Sequence, residues 1–163
     1  MTPLWAVAAI LLWGGLATFS LAAIMFASQQ LGWSRMNWSL LLGTLVTGDR
    51  HLATLFGFLL SFLLGYAVAF LCFALFALTG GAGVWKGLAV GLVLGAIQLV
   101  VILPLLVLFH PRIASEYDGP SVVRRLEPPG FLALNFGYRT PLVILVAYAV
   151  YGAVLGAGYG LIL

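Results

Sequence analysis

The stretch Gly83-Val-Trp-Lys-Gly87-Leu-Ala-Val-Gly91-Leu-Val-Leu-Gly95-Ala-Ile-Gln98-Leu-Val-Val-Ile-Leu-Pro104-Leu-Leu-Val-Leu-Phe109 decides how this chain folds. Its one charge, Lys86, stands near its start, and everything after that is apolar except Gln98. As a helix its 26 residues from position 84 to 109 would reach roughly 39 Å, enough to cross the about 30 Å hydrocarbon core of a bilayer. Gly83, Gly87, Gly91 and Gly95 recur every fourth residue, so they fall on one face. Between helices in lipid no hydrophobic drive operates, and close backbone approach along such stripes holds them together.

The rest of the chain reads the same way. Of its 163 residues 64% are hydrophobic and 7% charged, with mean hydropathy +1.19. A soluble domain carries about 25% charged residues, so lipid is the solvent this composition calls for. Four segments are long and apolar enough to span: roughly residues 3–27, 52–78, 84–109 and 141–163. The predicted fold is an all-α integral membrane four-helix bundle, a single domain over residues 1–163 with two cytoplasmic capping loops. The first segment is expected to stay as a helix rather than be cleaved as a signal, because no Lys or Arg precedes it and its apolar run is too long.

The charges orient the bundle. The loops at 28–50 and 110–140 carry Arg35, Arg50, Arg112, Arg124, Arg125 and Arg139, whereas the opposite end carries only Lys86 and the terminal amine. The positive-inside rule puts both loops in the cytoplasm and both termini outside. All four acids (Asp49, Glu116, Asp118 and Glu127) and both histidines fall on the loop side too. Trp5 and Trp85 then lie at the outer interface, and Trp33 and Trp38 near the inner one. With seven Lys/Arg against four Asp/Glu, the pI of 9.4 does not point to nucleic acid. One cysteine, Cys72, allows no intrachain disulfide.

The loops are more than linkers. Residues 33–46 are apolar but too short to cross, which predicts an interfacial or re-entrant helix. Asp118-Gly119-Pro120 reads as a turn, and Pro128-Pro129-Gly130 would break any helix begun at Ser121. Residues 131–138 are apolar again and are expected to dip back to the headgroup level.

Small-residue stripes occur on every predicted helix. Beside the glycines already quoted stand Gly14, Thr18 and Ala22; Ala53, Gly57, Ser61, Gly65 and Ala69; and Gly152, Gly156 and Gly160. They predict tight packing within the bundle or, alternatively, an interface with a partner subunit. Pro104 predicts a kink.

Chemistry-bearing residues are few. No Asp, Glu, Lys, Arg or His lies in the middle of a span, which argues against a pump or proton-coupled carrier. Gln98 is the most polar deep residue, read as interhelical glue or else, with Pro104, as part of a polar pathway. His51 lies 30 residues before Gly81 and His110 29 after it, so two antiparallel helices would bring both to one depth. Neutral imidazoles there could ligate haem iron or the magnesium of a chlorophyll-type pigment, although anchoring of the helix ends is the plainer reading and no cofactor the first expectation. No Cys or third His completes a zinc site, and no P-loop, dinucleotide fingerprint or metalloprotease helix is present.

Met36-Asn37, Leu42-Gly43, His110-Pro111-Arg112, Pro129-Gly130-Phe131-x-Ala133-Leu134-Asn135-Phe136-Gly137, Thr140-Pro141 and Tyr151-Gly152-Ala153-x-Leu155-Gly156 together resemble a group of small bacterial membrane proteins of unknown function. The resemblance runs from Met36 onward and implies four helices, bacterial origin and a place in the inner membrane. Where the group more often carries Asp, this chain has Asn37, so no carboxylate role is expected there. It also directs attention to the loop residues Asn37, Arg112 and Asn135.

The leading expectation is a non-catalytic role, as an accessory or structural subunit of a larger inner-membrane complex or as a homo-oligomer, in contact with membrane lipids. The alternatives are a carrier or channel for a neutral or lipidic molecule, a haem- or pigment-binding protein using His51 and His110, and, more weakly, an enzyme acting on lipid at the cytoplasmic face.

Overall fold

A computed structural model describes residues 3–114, 120–123 and 125–163, with the backbone alone for residues 3–6. The Asp118-Gly119 part of the expected turn, Glu116, Arg124 and the Trp5 side chain lie outside the described residues.

The elements in chain order are α1 (Pro3–Gln30), α2 (Trp38–Gly43), α3 (Arg50–Leu78), α4 (Val84–Ile97), a π turn (Gln98–Ile102), α5 (Leu103–Phe109), a 3-10 segment (Phe131–Phe136) and α6 (Thr140–Tyr159). Four helices are long and apolar enough to cross a membrane: Val7–Gln30, Arg50–Leu78, the continuous Val84–Phe109 and Thr140–Tyr159. Their outward surfaces are apolar throughout, with Leu63 and Phe19 more than 60% exposed. Contiguous apolar surface on this scale is what lipid, not water, accommodates.

Helix ends follow local chemistry. Asp49 caps α3, its carboxylate accepting from the backbone N–H groups of His51 and Leu52 at 2.9 and 3.0 Å. These bonds, the one to Leu52 foremost, hold the Asp49 carboxyl below its ordinary value. Gly80 and Gly81, at φ of +80° and +108°, reverse the chain after α3. There Lys86 Nζ donates to the carbonyls of Thr79 and Gly81, complementing the negative end of the helix.

Several boundaries differ from expectation. The first helix continues to Gln30 rather than Ala27, and α6 ends at Tyr159 rather than Leu163. Only Trp38–Gly43 of the 33–46 segment is α-helical. Its first part runs extended, tied by Arg35 N–H to the Phe136 carbonyl at 2.8 Å. Pro104 does not break its helix. The turn before it widens, with Leu103 N–H donating to the Gln98 carbonyl five residues back. Proline has no N–H and crowds the preceding turn, and a π turn relieves that without ending the helix.

The bundle is not a closed square. Its long helices run in the order α3, α1, α6, α4, each packed on the next. Although the short 79–83 turn joins them, α3 and α4 do not pack along their lengths. α4 and α6 meet backbone to backbone. A Cβ on Gly87 would strike the Gly152 carbonyl, one on Gly91 the Tyr148 carbonyl, one on Gly152 the Gly87 carbonyl and one on Gly156 the Gly83 carbonyl. Gly65 faces Thr18 of α1, and Gly57 faces the Ser39 carbonyl of α2. Gly95 rests against the Tyr148 side chain. At the turn end, a Cβ on Gly83 would meet open space and one on Gly160 only the chain's own carbonyls.

Tyrosines complete the core. Tyr151 and Tyr159, both fully buried, reach across from α6 so that their hydroxyls donate to the carbonyls of Gly65 and Ala69 on α3, at 2.7 and 3.2 Å. A buried phenol needs such a partner, and in an apolar span a helix carbonyl is what is available.

Candidate functional site

Because α3 and α4 diverge, a cavity of about 670 Å³ lies between them, floored by α1 and α6. Its walls are overwhelmingly apolar, supplied by side chains such as Phe19, Met25, Phe58 and Leu94. Its length follows the helices, from Thr18 to Gln29 on α1 and from Thr54 to Val68 on α3, roughly 17–21 Å. α2 crosses the loop end as a shelf, presenting Asn37, Trp38 and Ser39.

Polar groups sit at two places in this groove. At the loop end Gln29, Asn37, Ser39 and Thr54 form a fringe. Deeper in, Gln98 opens the π turn and accepts a hydrogen bond at Oε1 from the Tyr148 hydroxyl, 3.2 Å away. Thr18 and Ser61 also line the wall, but each hydroxyl donates back to its own helix, to the carbonyls of Gly14 and Gly57. Of the two residues expected to mark a polar path, Gln98 faces the groove and Pro104 does not line it.

The loops hold α2 in place. Asn37 is its N-cap, Oδ1 accepting from Leu40 N–H at 2.9 Å. Gly43 and Gly57 let α2 lie against the α3 backbone: a Cβ on Gly43 would meet the Ala53 carbonyl. His110 closes the far end. Its Nδ1 accepts from Arg112 N–H at 3.1 Å, so the proton is on Nε2, which faces the Leu41 carbonyl at 2.9 Å and the Thr44 hydroxyl at 3.3 Å. Arg112 adds a bond to the Thr44 carbonyl. Burial pushes His110 below the ordinary histidine value; the bond to Leu41 opposes this and the Arg112 charge adds to it.

The second loop is folded on itself by Asn135, whose Nδ2 donates to the Pro128 carbonyl at 3.1 Å and whose backbone N–H donates to that of Pro129. It is joined to residues 33–37 by Arg35, which donates to the Asn135 carbonyl at 2.5 Å and pairs with Glu127, and by Thr140, which donates to Ser34 Oγ at 2.9 Å. Asn37, Arg112 and Asn135 therefore all build the loop-end cap. Of the loop's apolar run, Ala133 and Phe136 are buried while Phe131 and Tyr138 are exposed. Trp33 is exposed beneath the Arg139 guanidinium, and Trp85 is exposed at the other end.

The two histidines share the loop end. His51 is exposed at the start of α3, no hydrogen bond links it to His110, and both His110 ring nitrogens are engaged by protein groups. Among the described residues no three of His, Cys, Asp and Glu gather as a metal site requires.

Tyr148 and Tyr151 both line the groove, a place that the motif containing Tyr151 does not indicate and that nothing quoted above gives to Tyr148. A signal existed: Tyr148, Tyr151 and Tyr159 fall at spacings of three and eight in an otherwise aliphatic helix, which puts three hydroxyls on neighbouring faces of a span. No family model, curated protein or solved structure matches this chain.

Proposed function

We propose that this chain is a multi-pass membrane protein that takes a neutral, lipidic molecule into the groove between α3 and α4, as a carrier or a holder. The observation that carries this is the 670 Å³ apolar groove at the place where two sequential helices fail to pack. Its size falls within the roughly 300–1,000 Å³ of small-molecule sites. The fringe of Gln29, Asn37, Ser39 and Thr54 suits a polar end held at the loop face, with the chain directed inward. We place the loops in the cytoplasm of a bacterial cell and the spans in its inner membrane, on the Arg excess of the loops and the resemblance of the loop motifs.

The subunit reading draws on the all-round apolar helices, the small-residue stripes and the lack of charge in the spans. Most of those glycines lie between the chain's own helices, so the stripes lend it no support and we place it second. The pigment reading needs His110 as a ligand, and its nitrogens are already occupied.

A photoreactive phenylalanine analogue in place of Phe58, an exposed residue of the groove wall, tests the proposal in native membranes. Adducts carrying lipid-sized masses are expected. Adducts to protein alone would return the subunit reading to first place.

A further inference from the structure

The groove contains one polar side chain with bonding capacity left over at a depth where an ordinary acyl chain has nothing to bond. Gln98 is 7% exposed. Its amide oxygen is taken by the Tyr148 hydroxyl, while no partner is found for its amide nitrogen among the described residues. Among those residues no fully enclosed side-chain nitrogen or oxygen lacks a bond. The Gln98 amide nitrogen must therefore reach open space; Gln98 lines the groove and an adjoining pocket of about 10 Å³ beside Met36 and Ile144, and of the two only the groove has room for a ligand. Gln98 lies 14 residues from Val84 and 11 from Phe109, roughly 21 and 17 Å along the helix, close to mid-depth. A donor in so apolar a place is costly unless an acceptor meets it. Phospholipid chains offer only methylenes there. The π turn starting at Gln98 also re-aims the helix at this residue, as π turns commonly do at binding sites.

We infer that the groove selects a lipophile carrying a neutral oxygen acceptor, a carbonyl or ether, well away from any headgroup, and that the Gln98 amide N–H₂ donates to that oxygen. Tyr148 positions the amide by holding its oxygen. This inference rests on the groove reading and names the class of molecule that the groove takes.

The test uses full-length protein in phosphatidylcholine nanodiscs and a diazirine-bearing alkane that labels the groove. Two competitors are compared: a long dialkyl ketone with its carbonyl at mid-chain, and the n-alkane of equal length. Wild type should prefer the ketone by roughly 3- to 10-fold, the worth of one net hydrogen bond, and Gln98→Leu should abolish the preference without weakening the alkane. In wild type alone, the carbonyl stretch of bound ketone should fall below its value in protein-free bilayers, a readout that does not depend on the variant folding. Equal competition by the two compounds in wild type, a preference that survives Gln98→Leu, or an unshifted carbonyl stretch would each overturn the Gln98 role while leaving a lipid groove. If neither compound competes and Ala23→Phe, which narrows the groove, labels like wild type, the groove reading falls as well.

Discussion

Adding one methyl group on the seam between α4 and α6 provides a sharp test of how this bundle is held. An alanine Cβ at position 91 would meet the Tyr148 carbonyl and lie 3.1 Å from Ala149 Cα; one at 152 would meet the Gly87 carbonyl and lie 2.7 Å from Gly91 Cα. These neighbours are backbone atoms, so no rotamer change relieves the clash and the helices must separate. Overpacking of this kind costs about 1–3 kcal/mol, and replacing a mid-helix glycine by alanine returns at most about 1 kcal/mol. Overlap of a Cβ with backbone puts both positions at the upper end of that cost, so each single substitution should destabilise by about 2 kcal/mol. Gly95→Ala behaves differently. Its nearest atoms are the Tyr148 Cβ at 3.1 Å, which the backbone fixes, and the Leu145 Cδ2 at 3.3 Å, which a rotamer change can move, so the helices need give way far less than at 91 or 152 and the cost should be clearly smaller. Positions 91 and 152 touch, so a seam already opened by one alanine should admit the second more cheaply. The double variant should lose about 0.5–1 kcal/mol less than the sum of the singles. Reversible unfolding in mixed micelles, followed by circular dichroism, measures all four proteins. If Gly91→Ala is neutral, or if Gly95→Ala costs as much, the seam is not the backbone contact described.

Other outcomes are expected elsewhere. His110 is depressed by burial, so the folded state favours neutral imidazole; its contribution is complete above the ordinary value of 6.5 and is lost as the pH falls from there toward the folded value. Acidification should free α2, seen as a change in Trp38 fluorescence, and His110→Gln should flatten that profile. Gly130→Ala should destabilise the loop-end cap by about 1–2 kcal/mol, because φ is +66° and a Cβ would lie 2.6 Å from the Asn135 side chain; limited proteolysis between positions 120 and 137 reads it. Tyr151→Phe removes the bond to the Gly65 carbonyl and should cost about 0.6 kcal/mol in the same micelle unfolding assay, with no change in helix content.

The set of helices is legible in the chain alone. Apolar runs with almost no charge have one way to satisfy their backbone in lipid, and glycines at a spacing of four must share a face, so four long helices and a close seam at Gly87 and Gly91 follow from local chemistry. Asp49 before its helix and the glycines after Leu78 mark ends for the same reason. Which helices become neighbours is settled only by packing. A five-residue turn between α3 and α4 suggests a packed hairpin, which is the arrangement that would bring His51 and His110 to one depth. The glycine face of α4 instead meets α6, because only glycine opposite glycine permits backbone contact, while the small face of α3 takes Thr18 of α1 and the shelf α2. With both seams used this way, α3 and α4 stand apart. The space between them, and the Gln98 amide that opens into it, arises from helix order, and no periodicity along one helix encodes which helix will lie beside it.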